Sequence, residues 1–269
     1  MGNIINLIED ELPGVYVYSL QLGTGPASDR WAGFFGNVNS QVDQVCQELA
    51  ANEGLRGGFN AIGFSQGGLF LRAYIERCNN PPVRNLVTFG SPHAGVARLP
   101  ACKDPNDWAC ALMHRMAHQG IYSWYVRDHI VPAQYFKDPD RLDLYFEKNI
   151  FLPDINNEVR VNQTYADNLA SLERFIMVRF TKEDVVVPSI STWFGFVNEL
   201  DDDIPLQFTE LYTEDRLGLR QLDEQGRLLF LTNEGFHMQV SRDLLTNILH
   251  KYLKSTPVPP PRFRIQARE

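Results

Sequence analysis

No stretch of this sequence approaches the roughly 20 consecutive apolar residues that a membrane-spanning helix needs, because every apolar run breaks much sooner. Basic charge is also scarce. The chain has 25 Lys and Arg against 33 Asp and Glu, a net charge of −8. That balance, with no basic patch in the body of the chain, argues against nucleic-acid partners, whose binding rests on cations meeting phosphates. The four cysteines include no C-x-x-C pair, so no zinc site is expected, and no metal or cofactor motif stands elsewhere. The opening MGNIINLIEDELPG lacks the basic and long apolar regions of a secretory signal and carries Glu9, Asp10 and Glu11 instead. Asn6 stands where a myristoylation motif wants Ser or Thr. There is no internal repeat and no linker.

What is present is enough apolar residue for a core. Of 269 residues, 44% are hydrophobic and 12% aromatic, which excludes a disordered chain and suits one large domain. Runs rich in β-branched and aromatic residues predict strands at 15–20 (VYVYSL), 59–64, 86–90, 175–180 and 228–232. Helical spacing predicts helices over 39–55, with Asn39 or Ser40 as its cap, over 69–77 and over 241–253. Strands alternating with helices imply a mostly parallel sheet covered on both faces, an α/β fold over 1–254. Residues from about 96 to 172 show no confident strand and many aromatics, among them Trp108, Tyr122, Trp124, Tyr125, Tyr135, Phe136, Tyr145, Phe146 and Phe151, and read as a largely helical insertion. Residues 255–269 read as a Pro-rich basic tail.

The chemistry starts at Gly63-Phe64-Ser65-Gln66-Gly67. This G-x-S-x-G follows a strand and opens a helix, which presents a serine hydroxyl on a tight turn at the carboxyl edge of a sheet. Its flanking glycines are expected to remove side chains that would collide with the neighbouring strand and helix. A serine needs a base, and the base needs an acid that fixes its tautomer. The strand ending at Phe180 is followed by Thr181-Lys182-Glu183-Asp184, and LLFLT is followed by Asn233-Glu234-Gly235-Phe236-His237, so both roles have candidates. Of the other histidines, His93 in GSPHAG reads as a turn residue bonded to backbone. His114, His118 and His129 read as packing or surface residues, and His250 lies on the last helix near the tail.

In series, GVYVYSLQLG, NVNSQVDQVCQELA, GFNAIGFSQGGLFLRAYIERC, FLPDINNE, WFGF, LYTEDRLGL and LLFLTNEGFH resemble the palmitoyl-protein thioesterases, lysosomal α/β-hydrolases that remove fatty acyl groups from cysteine. The resemblance runs from about Gly2 to about Leu253. It implies the α/β-hydrolase fold, with the insertion before the acid-bearing strand, and Ser65 as nucleophile, His237 as base and the Gln66 N–H as an oxyanion donor. For the acid it leaves two positions. The gap-free register gives Glu183, while Asp184 matches the D-x-V-V-P spacing of other α/β-hydrolase loops and keeps the residue type, so Asp184 is preferred with Glu183 as the alternative. The resemblance pairs Cys46 with Cys78 and Cys102 with Cys110, and places the one N-x-[ST] sequon, at Asn162, on a family glycosylation position. It thereby implies an oxidising, lysosomal or secreted location. It also implies a strand and an H-G-M-G oxyanion turn ahead of Met1, so a chain starting here is expected to be an incomplete start or catalytically impaired. The expected substrates are S-acylated proteins or peptides and fatty acyl thioesters, with no cofactor. A lipase or esterase acting on oxygen esters and a lipid-binding pseudoenzyme are the competing readings.

Overall fold

The computed structural model of the chain describes residues 2–98, 111 and 120–254. Four of the five expected runs become strands: β1 (Phe59–Phe64), β2 (Val83–Phe89), β3 (Arg174–Lys182) and, after a short antiparallel pair β4 (Phe196–Val197) and β5 (Asp203–Ile204), β6 (Leu228–Phe236). The main sheet has the order β1-β2-β3-β6 and every pair in it is parallel. A parallel sheet must be covered on both faces, because its crossovers run over them. Helices α1 (Gly2–Glu11), α2 (Pro26–Ala32), α3 (Val38–Ala51) and α4 (Gln66–Arg77) precede β2. Between β2 and β3 come α5 (Trp124–His129), α6 (Leu142–Lys148), α7 (Leu152–Ile155) and α8 (Gln163–Ala170), with α9 (Glu210–Thr213), α10 (Leu219–Glu224) and α11 (Arg242–Ile248) after β3.

Alternation along the strands divides the core in two. Phe175 and Met177 of β3 pack with Val45 and Leu49 of α3, Tyr74 and Ile75 of α4 and Leu222 of α10. Ile176, Val178 and Phe180 point the other way, onto Leu7 of α1 and Leu245 and Ile248 of α11. A disulfide between Cys46 and Cys78, with Cα atoms 6.1 Å apart, ties α3 to the end of α4. Cys102, Cys110, Trp108, His114 and His118 lie outside the described residues.

Two local expectations are corrected. Residues 15–20 form no strand: among the described residues no ladder reaches them. Side chains hold this segment to α3 instead. The Tyr16 hydroxyl takes a hydrogen bond of 3.2 Å from Asn52 Nδ2, its ring packs against Gly54, and the Tyr18 hydroxyl donates to Glu48. The cap of α3 is Asn37, whose side chain accepts from the N–H groups of Asn39 and Ser40, so both residues proposed as the cap are the donors it caps.

Among the ties between the insertion and α4 is a buried cation. The Arg72 guanidinium donates to Glu76 Oε1 at 3.0 Å, to the Ile155 carbonyl at 3.0 Å, to Asn156 Oδ1 at 2.8 Å and to the His93 carbonyl at 3.2 Å. Both members of the Arg72–Glu76 pair are fully buried. Burial pushes the Glu76 carboxyl up to about 7 against the opposing pull of Arg72.

Among the described residues, β1 is the edge of the sheet opposite β6. The N–H groups of Phe59 and Ser65 donate toward β2, so those of the alternate residues Ile62 and Phe64 face away from it. Beside that edge runs a groove of about 420 Å³, walled by apolar residues of α1, the 15–20 segment and Leu249 and Leu253, and ending at Gln66 and Gly67.

Candidate active site

Ser65 stands where β1 turns into α4. Its φ of 51° and ψ of −127° lie outside the regions that non-glycine residues favour, so the surrounding structure must impose the turn. The Ser65 N–H donates to the Phe89 carbonyl at 2.7 Å, anchoring the turn to β2. Two close approaches make it possible. A Cβ on Gly63 would lie 2.5 Å from the Gly68 Cα, and a Cβ on Gly68 would lie 2.0 Å from Ser91 Oγ and 2.9 Å from Thr88 Cγ2. A Cβ on Gly67 would meet nothing within 4 Å. The second glycine that the packing requires is therefore Gly68, one residue beyond the motif, and the expectation for Gly67 is corrected.

His237 arrives from the loop after β6. Its Nε2 lies 2.9 Å from Ser65 Oγ and its Nδ1 lies 2.8 Å from Glu183 Oε2. The Glu183 side chain is fully buried, and its other oxygen accepts the N–H groups of Val185 at 2.9 Å and Val186 at 3.0 Å. The loop thus wraps its own backbone around one carboxylate oxygen and leaves the other for the imidazole. Asp184 is exposed. Of the two adjacent carboxylates it is Glu183 that meets the imidazole. The preference for Asp184 is corrected to Glu183: the longer arm has room because its far end is held by two N–H donors.

The ring of His237 packs against Phe180 and across Gly90. At Gly90, with φ of +57°, a Cβ would lie 2.8 Å from the Phe180 ring and 3.1 Å from His237 Cε1. Gly90 could have been suspected as a glycine closing a strand, but nothing in the sequence tied it to His237, 147 positions on. Gln66 opens α4, where a backbone N–H has no carbonyl of its own helix to bond. Its side-chain Oε1 accepts from the Tyr135 hydroxyl at 3.2 Å, which brings the insertion against the serine turn.

The other histidines stand apart. His93 is fully buried, with Nε2 3.0 Å from Thr88 Oγ1 and its ring stacked 4.7 Å from that of Phe194, so its ring is held by a side chain and not by backbone as expected. Burial, helped by Arg72, keeps this imidazole well below the usual histidine range. His129 stacks on Tyr125, and His250 pairs with Glu11 at 2.8 Å.

A serine, an imidazole and a buried carboxylate in hydrogen-bonded series at the carboxyl edge of a parallel sheet are the parts needed for nucleophilic acyl transfer. Comparison with known proteins points to which branch of that chemistry. The chain is 44% identical over 255 residues to palmitoyl-protein thioesterase 1 of Caenorhabditis elegans, covering 94% of this chain and 85% of that protein. It is 36% identical over 233 residues to palmitoyl-protein thioesterase 3 of Dictyostelium discoideum, covering 86% of this chain and 77% of that one. It is 29% identical over 269 residues to the lysosomal thioesterase PPT2 homolog of Drosophila melanogaster, covering 94% and 86%. The profile of the family described as palmitoyl protein thioesterase matches residues 1–237, from the first helix through the histidine that faces Ser65, and the chain belongs to that family.

Proposed function

We propose that this chain hydrolyses long-chain fatty acyl thioesters, palmitoyl-cysteine on proteins above all, with Ser65 as nucleophile, His237 as base and Glu183 as the acid that orients it. The observation that carries this reading is the unbroken series Ser65 Oγ, His237 Nε2, His237 Nδ1, Glu183 Oε2, with links of 2.9 and 2.8 Å. Ser65 Oγ attacks the thioester carbonyl while His237 Nε2 takes its proton. The tetrahedral oxyanion forms beside the Gln66 N–H. Collapse breaks the C–S bond, and the imidazolium returns the proton to the departing thiolate. Water, deprotonated by the same nitrogen, then attacks the acyl-serine, and as the C–Oγ bond breaks the imidazolium returns that proton to Ser65 Oγ and the fatty acid leaves. A cysteine thiol of pKa about 8.5 leaves readily, so the demanding task is holding the acyl chain. Its transfer from water is worth about 0.8 kcal/mol per methylene. The aromatic insertion, which reaches Gln66 through Tyr135, is the surface assigned to that chain.

Family membership and the name of the Drosophila relative support a lysosomal setting. The Cys46–Cys78 bridge agrees with an oxidising route, on which Cys102 and Cys110 form the second pair. The sequon Asn162 is exposed at the cap of α8, with its Oδ1 taken by the Thr164 N–H, a surface position suited to a glycan. The test is hydrolysis of a palmitoylated cysteine peptide and of the matching oxygen ester by the chain and by Ser65→Ala. Thioester turnover that vanishes in Ser65→Ala is the expected result. Faster turnover of the oxygen ester would make it an esterase, and binding of the acyl peptide without turnover would make it a lipid-binding pseudoenzyme.

A further inference from the structure

The residue that sets His237 in place is not one of the three in the series. His237 directly follows β6, and residues 237–240 turn back to Ser241, the cap of α11. Near the end of β6, four residues before His237, Asn233 is 2% exposed. Its Nδ2 donates to the Glu234 carbonyl at 2.8 Å and to the Gln239 carbonyl at 2.8 Å, and its Oδ1 accepts the Ser241 N–H at 2.8 Å. One side chain thus grips the loop both before and after His237. The partners also fix which way round the amide lies, because turning it over would set an NH₂ against an N–H and an oxygen against two carbonyls.

Other bonds steady the same loop from outside. Gln239 Oε1 accepts the Phe236 N–H at 2.9 Å, and Thr181 Oγ1 accepts the Gly235 N–H at 3.2 Å. Gln239 and Thr181 are both exposed, so water can replace those bonds. Nothing replaces the contacts of Asn233 once they are broken in the interior. We propose that Asn233 is the positioning residue of the catalytic base: it holds the loop at the one path that leaves His237 within reach of both Ser65 Oγ and Glu183 Oε2. The proposal rests on the reading of His237 as base. Geometry of this kind is worth rate, because displacing a reacting group by about 1 Å can cost on the order of 10²-fold.

Asn233→Asp keeps the size and the acceptor for Ser241 but turns an oxygen on two carbonyls, and Asn233→Ser removes most of the grip with little added bulk. Both are to be compared with the parent, Gln239→Ala, Ser65→Ala and His237→Ala for thioester kcat and KM and for the rate at which a fluorophosphonate labels Ser65. Circular dichroism and a thermal melt accompany each, with kinetics taken well below the midpoint. The expected result for a folded Asn233 variant is kcat and labelling lowered about 10–100-fold with KM within about threefold, while Gln239→Ala stays close to the parent. A folded Asn233 variant with parental kcat and labelling overturns the proposal, as does a rise in KM alone. Failure of both variants to fold assigns Asn233 to stability and overturns it too. If His237→Ala or Ser65→Ala retains turnover, the base or nucleophile assignment has failed, which is a different result from parental Asn233 variants beside two inactive ones.

Discussion

The serine turn and the two loops that serve it solve the same problem by different means. The turn is made by exclusion: Gly63 and Gly68 let two backbones and the Ser91 side chain come closer than any side chain would allow, and the strained Ser65 backbone follows. The loops are made by attachment: Glu183 is held by the N–H groups of Val185 and Val186, and His237 by the grip of Asn233 on either side of it. Exclusion demands one residue type at one position, and so leaves a motif. Attachment asks only that some polar group reach some backbone group, and so leaves almost none.

The sharpest way to test that contrast is at the acid. Glu183→Gln removes the charge facing His237 Nδ1 and should lower kcat by roughly 10⁴-fold, as neutralising the acid of such a series does. Asp184→Asn, on the exposed neighbour, should stay within about threefold, and the opposite ranking from kcat measurements would return the role to Asp184. The next effect is at the turn. Gly68→Ala forces a Cβ into Ser91 and Thr88 and should destabilise by about 1–3 kcal/mol as overpacking does, whereas Gly67→Ala should change the melting midpoint little. Equal losses in a pair of thermal melts would break the argument from close approach. A third effect, of similar size but seen only as a change with pH, concerns Glu76, which in the folded chain keeps its proton to about pH 7 and in the unfolded chain releases it near its ordinary 4.5. Between those values the folded chain binds more protons, so this group makes stability fall as pH rises from about 4.5 to about 7 and level off above. Glu76→Gln should flatten the difference between melts at pH 5 and pH 7.5 by about 1–3 kcal/mol. A parental pH dependence that survives the substitution would mean that Arg72 keeps the carboxylate ionised.

How much could be read in advance follows the same division. The strands 59–64, 175–180 and 228–232, the helix after Ser65 and the pairing of Ser65 with His237 were legible, because periodicity, a glycine motif and chain order each report a local constraint. The family resemblance was legible for the same reason, through several short runs in order. Three of the things that were not show why. The extended run 15–20 has strand chemistry but no ladder partner among the described residues, and composition cannot say whether a partner exists. The choice of Glu183 over Asp184 turns on where two backbone N–H groups point, which is decided only when the loop closes. Asn233 looks like any polar residue ending a strand, and its three bonds appear only when residues 239 and 241 fold back onto it.

The four-way grip of Arg72 has a consequence for how the molecule comes apart. Its partners belong to α4, to the start of residues 155–156 in the insertion and to the turn at His93 after β2. Pulling the insertion away removes two of these partners at once, the Ile155 carbonyl and Asn156 Oδ1, and leaves a buried guanidinium under-satisfied, a cost of about 1.5–3 kcal/mol for each lost bond to a charged group. The helices around Tyr145 and Phe151, which share a core cluster with Leu69 and Phe70 of α4, therefore do not open as a separate flap above the sheet. They share their buried contacts with the helix that the serine turn opens, which favours their opening together with it as one cooperative unit.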